Sequence, residues 1–364
     1  MPTLSLAGTF VATGNMTHPR EDDTATLLPD GRVLIAGGYD LVDGPDAFHY
    51  LASAELYDPS THKFTRTGSM DIPRSGAAAT LLADGRVLIV GGEGCKDPAR
   101  CTERDWTNGD WPGSVGLKSA ELYDPTTGRF TLTGSMSEPS DSPSATLLPD
   151  GRVLVVDGGD NVVEAYNPTT GKFARVGTLS HPNGGAVALL PSGKVFVFEN
   201  NLPGPGAEVF DPSTGLSSSI RSVALGDESQ DQAATAISLE DGRVLAWVVA
   251  FNANVSYLYT YDPATNALTE EGSIDAPAGW VPSGAVLLRD GRVLFAGGSV
   301  DSAGVITGTD LAGVYDPATG FHLLDSKMAT TPDGQTMTTL ADGTVLIAGG
   351  DNGDILNSAE IFEP

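Results

Sequence analysis

Residues 25–38, ATLLPDGRVLIAGG, constrain this chain more than any other stretch. Two short apolar segments flank an Asp-Gly step, and a glycine pair closes the second. Asp-Gly in that setting predicts a two-residue hairpin, because the turn needs left-handed backbone at its central positions. The pattern returns along the chain, with turn glycines at Gly31, Gly85, Gly151, Gly193, Gly242, Gly291 and Gly343. After most copies comes a second hairpin, as in AELYDPSTHKFTRTGSM at 54–70, which turns on Asp-Pro-x-Thr. Two hairpins make one four-stranded antiparallel unit.

Seven such units in 364 residues predict an all-β chain: a seven-bladed β-propeller of four-stranded antiparallel sheets, one domain spanning 1–364. Successive turn glycines stand 54, 66, 42, 49, 49 and 52 residues apart, and the interval from the last round to the first is again 52. The segment 10–14 matches the fourth strand of later repeats, as in KFTRTGSM at 63–70. The chain stops at AEIFEP, which matches the third strand AELYDP. The N-terminal strand is therefore expected to complete the last blade and leave no open edge. Two insertions, 39–53 and 93–118, interrupt the pattern.

The apolar strand ends in Gly37-Gly38, Gly91-Gly92, Gly297-Gly298 or Gly349-Gly350, then comes Tyr-Asp-Pro and, one turn later, an aromatic. This arrangement resembles the kelch repeat, especially that of bacterial kelch proteins and the galactose-oxidase central domain, over nearly the whole chain. It departs at the fourth strand, where kelch repeats usually carry Trp and this chain has Phe64, Phe130 and Phe173, or Leu216 and Leu268. The resemblance implies that the loops after the second strand and between blades share one face around a central channel. The Asp-Gly and Asp-Pro-x-Thr turns would then lie on the other face. A copper-radical oxidase is not expected, because neither Cys95 nor Cys101 sits in that family's strand context and no Tyr-His pair appears in the later blades.

Net charge is −27, which disfavours nucleic acid and anionic lipid as partners. No apolar run approaches a membrane span. The start, MPTLSLAGTF, lacks a basic region and a long apolar stretch, so no secretory leader is read in it. Cys95 and Cys101 are expected to form a small disulfide loop, since zinc would need two further ligands that do not stand nearby. That pairing points to an oxidising compartment, secreted or periplasmic. The partner expected is a small molecule or carbohydrate, bound by a monomer. No cofactor is expected, with a structural cation left open.

Whatever recurs in every repeat serves packing, because one site does not need seven copies. The post-turn arginines (Arg32, Arg86, Arg152, Arg243, Arg292) and the third-strand glutamates (Glu55, Glu121, Glu164, Glu208, Glu360) are read as structural on that ground. Departures from the repeat are more informative. The first glycine of the pair becomes Asp157, Glu199 and Val248 in the third to fifth units. Asp157, Glu199, His181 and Asp231 are the expected catalytic or ligand-orienting set. The ligand-binding set adds His18, Arg20, Asp22, His49, Tyr50, Arg74, Trp106, Trp111, Asn183, Trp280 and Gln335, all on the loop face. Two functions stand side by side: a module that binds a small molecule or glycan there, and a cofactor-free lyase, isomerase, cyclase or hydrolase using His and carboxylates. A repeat scaffold with no pocket is a third.

Overall fold

A computed structural model describes residues 8–41, 48–95, 114–156, 161–180, 184–199, 206–220, 232–250, 255–273, 280–302 and 305–364. Among the described residues there is no helix, and the chain is laid out mainly as four-stranded antiparallel sheets, with strands in sequence order in all but the last. Beside these stand a two-stranded ribbon of Glu93–Cys95 with Ser114–Gly116 and a three-stranded one of Trp280–Val281, Ser299–Ser302 and Val305–Gly308. The first sheet runs Glu21–Leu27, Val33–Leu41, Ala54–Asp58 and Lys63–Arg66, and Phe48–Tyr50 pairs with the extended end of its second strand. The second sheet runs Ala78–Leu81, Val87–Val90, Ala120–Asp124 and Arg129–Leu132. The next four begin with Ser144–Leu147, Gly184–Leu189, Gln232–Ser238 and Gly284–Leu287. The last joins Thr336–Thr339, Val345–Ala348 and Ala359–Glu363 to Thr9–Ala12 from the other end of the chain.

Each second strand is an apolar run buried on both faces, such as Val33–Ala36, Val87–Val90 and Val345–Ala348. The cores therefore lie between sheets. One core packs Leu34 and Leu56 of the first sheet on Val87, Ile89 and Tyr123 of the second. Another packs Val33, Ile35 and Tyr57 on Leu346, Ala348 and Ile361, joining the first sheet to the last. The third-strand tyrosine rests on the fourth-strand aromatic: Tyr57 on Phe64 and Tyr123 on Phe130 at 4.8 Å, Tyr166 on Phe173 at 5.0 Å. In the last sheet the same contact is made by Phe362 and Phe10, at 5.0 Å.

The recurring polar residues have fixed duties. Arg32 donates Nε to Asp30 at 2.9 Å, and the same clasp is repeated by Arg86, Arg152, Arg243 and Arg292 on the acid of their own turn. Third-strand glutamates accept main-chain N–H groups of the segment that precedes their sheet. Thr17 and His18 donate to Glu55, Asp71 and Ile72 to Glu121, Ser180 to Glu208, and Ala329 to Glu360. These groups tie loops to the sheets.

Deleting residues 1–15 removes the pairing of Thr9–Ala12 with Glu360–Glu363 and the ring contact of Phe10. We expect the midpoint of thermal unfolding to fall by more than about 5 °C, or the protein to aggregate through the bared edge. Calorimetry of the truncated chain checks this, and an unchanged midpoint would remove the N-terminal strand from the folding unit.

Candidate functional site

The glycine pairs build the loop face. At Gly37-Gly38, Gly91-Gly92, Gly297-Gly298 and Gly349-Gly350 both residues have positive φ, a conformation glycine adopts without a side-chain clash. The first glycine donates within its own sheet, as Gly37 N does to Ser53 O at 3.1 Å. The second reaches the neighbouring sheet: Gly38 N to Arg74 O at 2.9 Å, Gly298 N to Pro332 O at 2.7 Å, Gly350 N to Arg20 O at 2.9 Å. The residue after each pair then faces the residue that opens the sheet. Glu21 faces Tyr39, Ser75 faces Glu93, and Asp333 faces Asp351.

Three adjoining sheets thus bring acids to one rim. Glu21 and Asp22 come from the first sheet, Glu93 from the second, and Asp333 and Asp351 from the last. Asp22 has φ 53°, where the corresponding residues of the second and last sheets are Gly76 (60°) and Gly334 (66°). A non-glycine residue in this region is uncommon and costs backbone energy, so the aspartate places a side chain where the second and last sheets have none. Its carbonyl still accepts Gly76 N at 2.9 Å, which fixes the bulge.

Electrostatics at this rim is set by crowding. Burial pushes the Glu21 carboxyl up to about 7, with Asp22, Asp351 and Asp333 adding to the rise and the hydrogen bond donated by Tyr39 Oη opposing it. Desolvation among its neighbours raises the Asp22 carboxyl, with Asp333 and Glu93 adding to the rise, while its side chain remains exposed to water. Burial and the acids hold the Tyr39 phenol protonated well above the ordinary range. Beside this group, His49 Nδ1 lies 3.1 Å from Asp40 Oδ1, and that carboxylate raises the imidazole. Tyr50 Oη sits 2.9 Å from Ser114 Oγ, which in turn donates to Glu93, so the first insertion is bonded to the second. Burial pushes Tyr50 up to about 12.

Of the expected ligand-binding residues, Tyr50 is buried, and four more are inside the protein holding main-chain carbonyls. Arg20 is fully buried and donates to Gly37 O at 2.7 Å and to Glu55 at 3.2 Å. Arg74 does the same to Gly91 O at 2.7 Å and to Glu121 at 3.3 Å. Trp280 Nε1 takes the corresponding carbonyl, Gly297 O, at 2.8 Å. Gln335 donates to Ala296 O at 2.8 Å. All four brace main-chain carbonyls at or beside the glycine pair. His18 is engaged by Arg66 at 2.9 Å on the outer side of the first sheet. Asp22 belongs to the acid rim and Tyr50 reaches it through Ser114 and Glu93, whereas His49 is engaged with Asp40.

Asp157, His181, Asp231, Trp106, Trp111 and Asn183 lie outside the described residues, as does Cys101; Cys95 ends the strand Glu93–Cys95. Glu199 closes the strand Val195–Glu199, in register with Gly184 and Gly206. Val248 is a buried member of Val244–Ala250. In these two sheets the position of the first glycine is taken by an ordinary strand residue. Open clefts of about 420 and 460 Å³ lie on the opposite face, one at Asp241, Asp290 and Arg292, the other at Lys194, Tyr261 and Asn266. Sequence reasoning missed Glu21, Tyr39, Glu93 and Asp351 as a set. The available signal was the register of Asp22 with Gly76 and Gly334.

The chain is similar in structure to a fungal alcohol oxidase of the AA5 family in complex with copper, at TM-score 0.70 and 13% identity, covering 98% of this chain and 76% of that one. It is similar to a streptogramin B lyase at TM-score 0.67 and 12% identity, covering 99% and 98%. A virginiamycin B lyase from Staphylococcus aureus gives 0.66 and 12%, covering 98% and 100%. The fold is a β-propeller. At these identities the likeness extends to the fold alone. In sequence, 146 residues are 26% identical to spermatocyte protein spe-26 of Caenorhabditis elegans, which is 40% of this chain and 22% of that protein. No protein-family model matches the chain.

Because Tyr39 donates to Glu21 and favours its charged form, Tyr39→Phe should move the Glu21 titration to higher pH. Carboxyl carbon NMR of selectively labelled protein reads this directly. A downward shift or none would mean that the pair is not formed.

Proposed function

We propose that the protein is a ligand-binding propeller that holds a small molecule, through a cationic or hydrogen-bond-donating group, at the rim formed by Glu21, Asp22, Glu93, Asp333 and Asp351. The single observation that carries this reading is the arrival of these acids from three adjoining sheets at one register of the loop face. In the fuller architecture the sheets are seven kelch-like blades of one domain, with the N-terminal strand completing the last; the pairing of Thr9–Ala12 with the final strand supports that closure. Glycans remain within the ligand class, since carboxylates and Tyr39 accept and donate to hydroxyls. The net charge of −27 supports a partner other than nucleic acid or anionic membrane. The protein acts in this reading as a secreted or periplasmic monomer, without a cofactor, and Cys95 pairs with Cys101 to stiffen the second insertion.

A cofactor-free acid–base enzyme is the second reading, and one observation favours it. Glu21, half-buried and bonded to Tyr39, is pushed up to about 7, where a carboxyl exchanges a proton readily near neutral pH. Copper-radical chemistry is not proposed: among the described residues His18 is engaged with Arg66, His49 with Asp40 and His62 with Tyr57, on separate parts of the first sheet.

Calorimetric titration with a panel of small cationic amines and matched neutral sugars tests the proposal. Glu21→Gln and Asp22→Asn should each weaken the best amine by about ten- to a hundredfold, the loss expected for one charge-assisted contact. Binding by the parent should strengthen as pH rises through about 7, because Glu21 ionises there. Full affinity in both variants, with unchanged melting, would place the site elsewhere. Alkylation without reduction tests the cysteine pairing: no added alkyl group is expected, and two would rule it out.

A further inference from the structure

In the sheets that keep the glycine pair, the residue eight positions before the turn glycine stands at the register of the first glycine, as Asp23 does opposite Gly37. It also packs against the glycine pair of the preceding sheet. A Cβ on Gly91 would meet Pro143, one on Gly297 would meet Gln335, and one on Gly349 would meet Asp23 Oδ1 at 3.2 Å. Pro143, Gln335 and Asp23 thus line seams between sheets. The series reads Asp23, Ala77, Pro143, Gly185, Ala234, Ser283 and Gln335. The ionisable member falls at the seam between the last sheet and the first.

Asp23 is 8% exposed. Its Oδ2 accepts from Thr336 Oγ1, on the first strand of the last sheet, at 3.3 Å. Its Oδ1 has no hydrogen-bond partner, and neither has the nearby Arg20 Nε. The charged groups bearing on it are Arg20, which favours its anion, and Asp22, which opposes it; from the last sheet it meets Thr336 and the uncharged Gly349. A carboxylate with one oxygen buried and unpaired is costly, whereas a neutral carboxyl is tolerated.

We propose that the seam between the last sheet and the first is a proton-held latch, which closes on a neutral Asp23 and loosens when that carboxyl ionises. The predicted direction follows from burial, which pushes Asp23 up to about 7 from an ordinary 3.8. An acid raised in the folded state stabilises the closed seam fully at low pH, and that contribution is lost as pH rises through about 7. Neighbouring Glu21, also pushed up to about 7, faces Tyr39, Asp22, Asp351 and Asp333 and is separable by its own variant.

Hydrogen-exchange protection factors of the full chain, read across Thr9–Ala12, Thr336–Thr339 and Ala359–Glu363 from about pH 5 to about pH 8, test the latch. They should fall by up to about tenfold per pH unit below about 7 and level off above it. Asp23→Asn should flatten the series, while Glu21→Gln should retain the fall at this seam. An equal fall in Asp23→Asn, or a flat parent, overturns the proposal. If Asp23→Asn does not fold, the parent still decides: an equal fall at the seam holding Ala77 overturns it, and a fall confined to the Asp23 seam supports it.

Discussion

The structure depends on a main-chain hydrogen bond that leaves one sheet and enters the next. At Gly38, Gly298 and Gly350 the second glycine of the pair points its N–H at the neighbouring segment. That geometry requires positive φ at two consecutive residues, which side chains resist, and this is why the pair recurs. Around it the protein stacks a second layer of support. Arg20, Arg74 and Trp280 each hold the carbonyl of the first glycine, and the two arginines are neutralised by Glu55 and Glu121. Removing either member would strand a buried charge, a loss of about 3–5 kcal/mol.

This bracing explains where the loop face can carry chemistry. Once the seam is fixed, the residue after the pair and the residue opening the sheet are held at one level of every sheet that keeps the pair. In the first, second and last sheets those positions hold Glu21, Tyr39, Glu93, Asp333 and Asp351. Their mutual repulsion is offset by a shared proton-rich environment: Tyr39 donates to Glu21, Ser114 to Glu93, and Ser283 to Asp333 at 2.6 Å. A cation arriving there would relieve the same repulsion.

The repeat was legible in the sequence because turn chemistry is local. Asp-Gly and Asp-Pro-x-Thr report backbone angles directly, and the clasps of Arg32 on Asp30 and its counterparts keep to two residues' distance. The recurring glutamates were legible as structural for the same reason of repetition. The site was not, because its logic is comparative between distant segments. The loss of the glycine pair at Glu199 and Val248 puts ordinary strand residues at that position. The informative departure is Asp22, which occupies a left-handed bulge that Gly76 and Gly334 occupy elsewhere. Arg20 and Arg74 look like ligand contacts in a loop, and only packing reveals that their guanidinium groups turn inward.

The claim that the rim of the first, second and last sheets is the binding surface is tested most directly by crystals soaked with small amines and sugars. The account predicts fragments within hydrogen-bond distance of Glu21, Asp22, Asp333 or Asp351. Fragments gathered instead on the loops of the third to fifth sheets, beyond Val156 and Glu199, would contradict it.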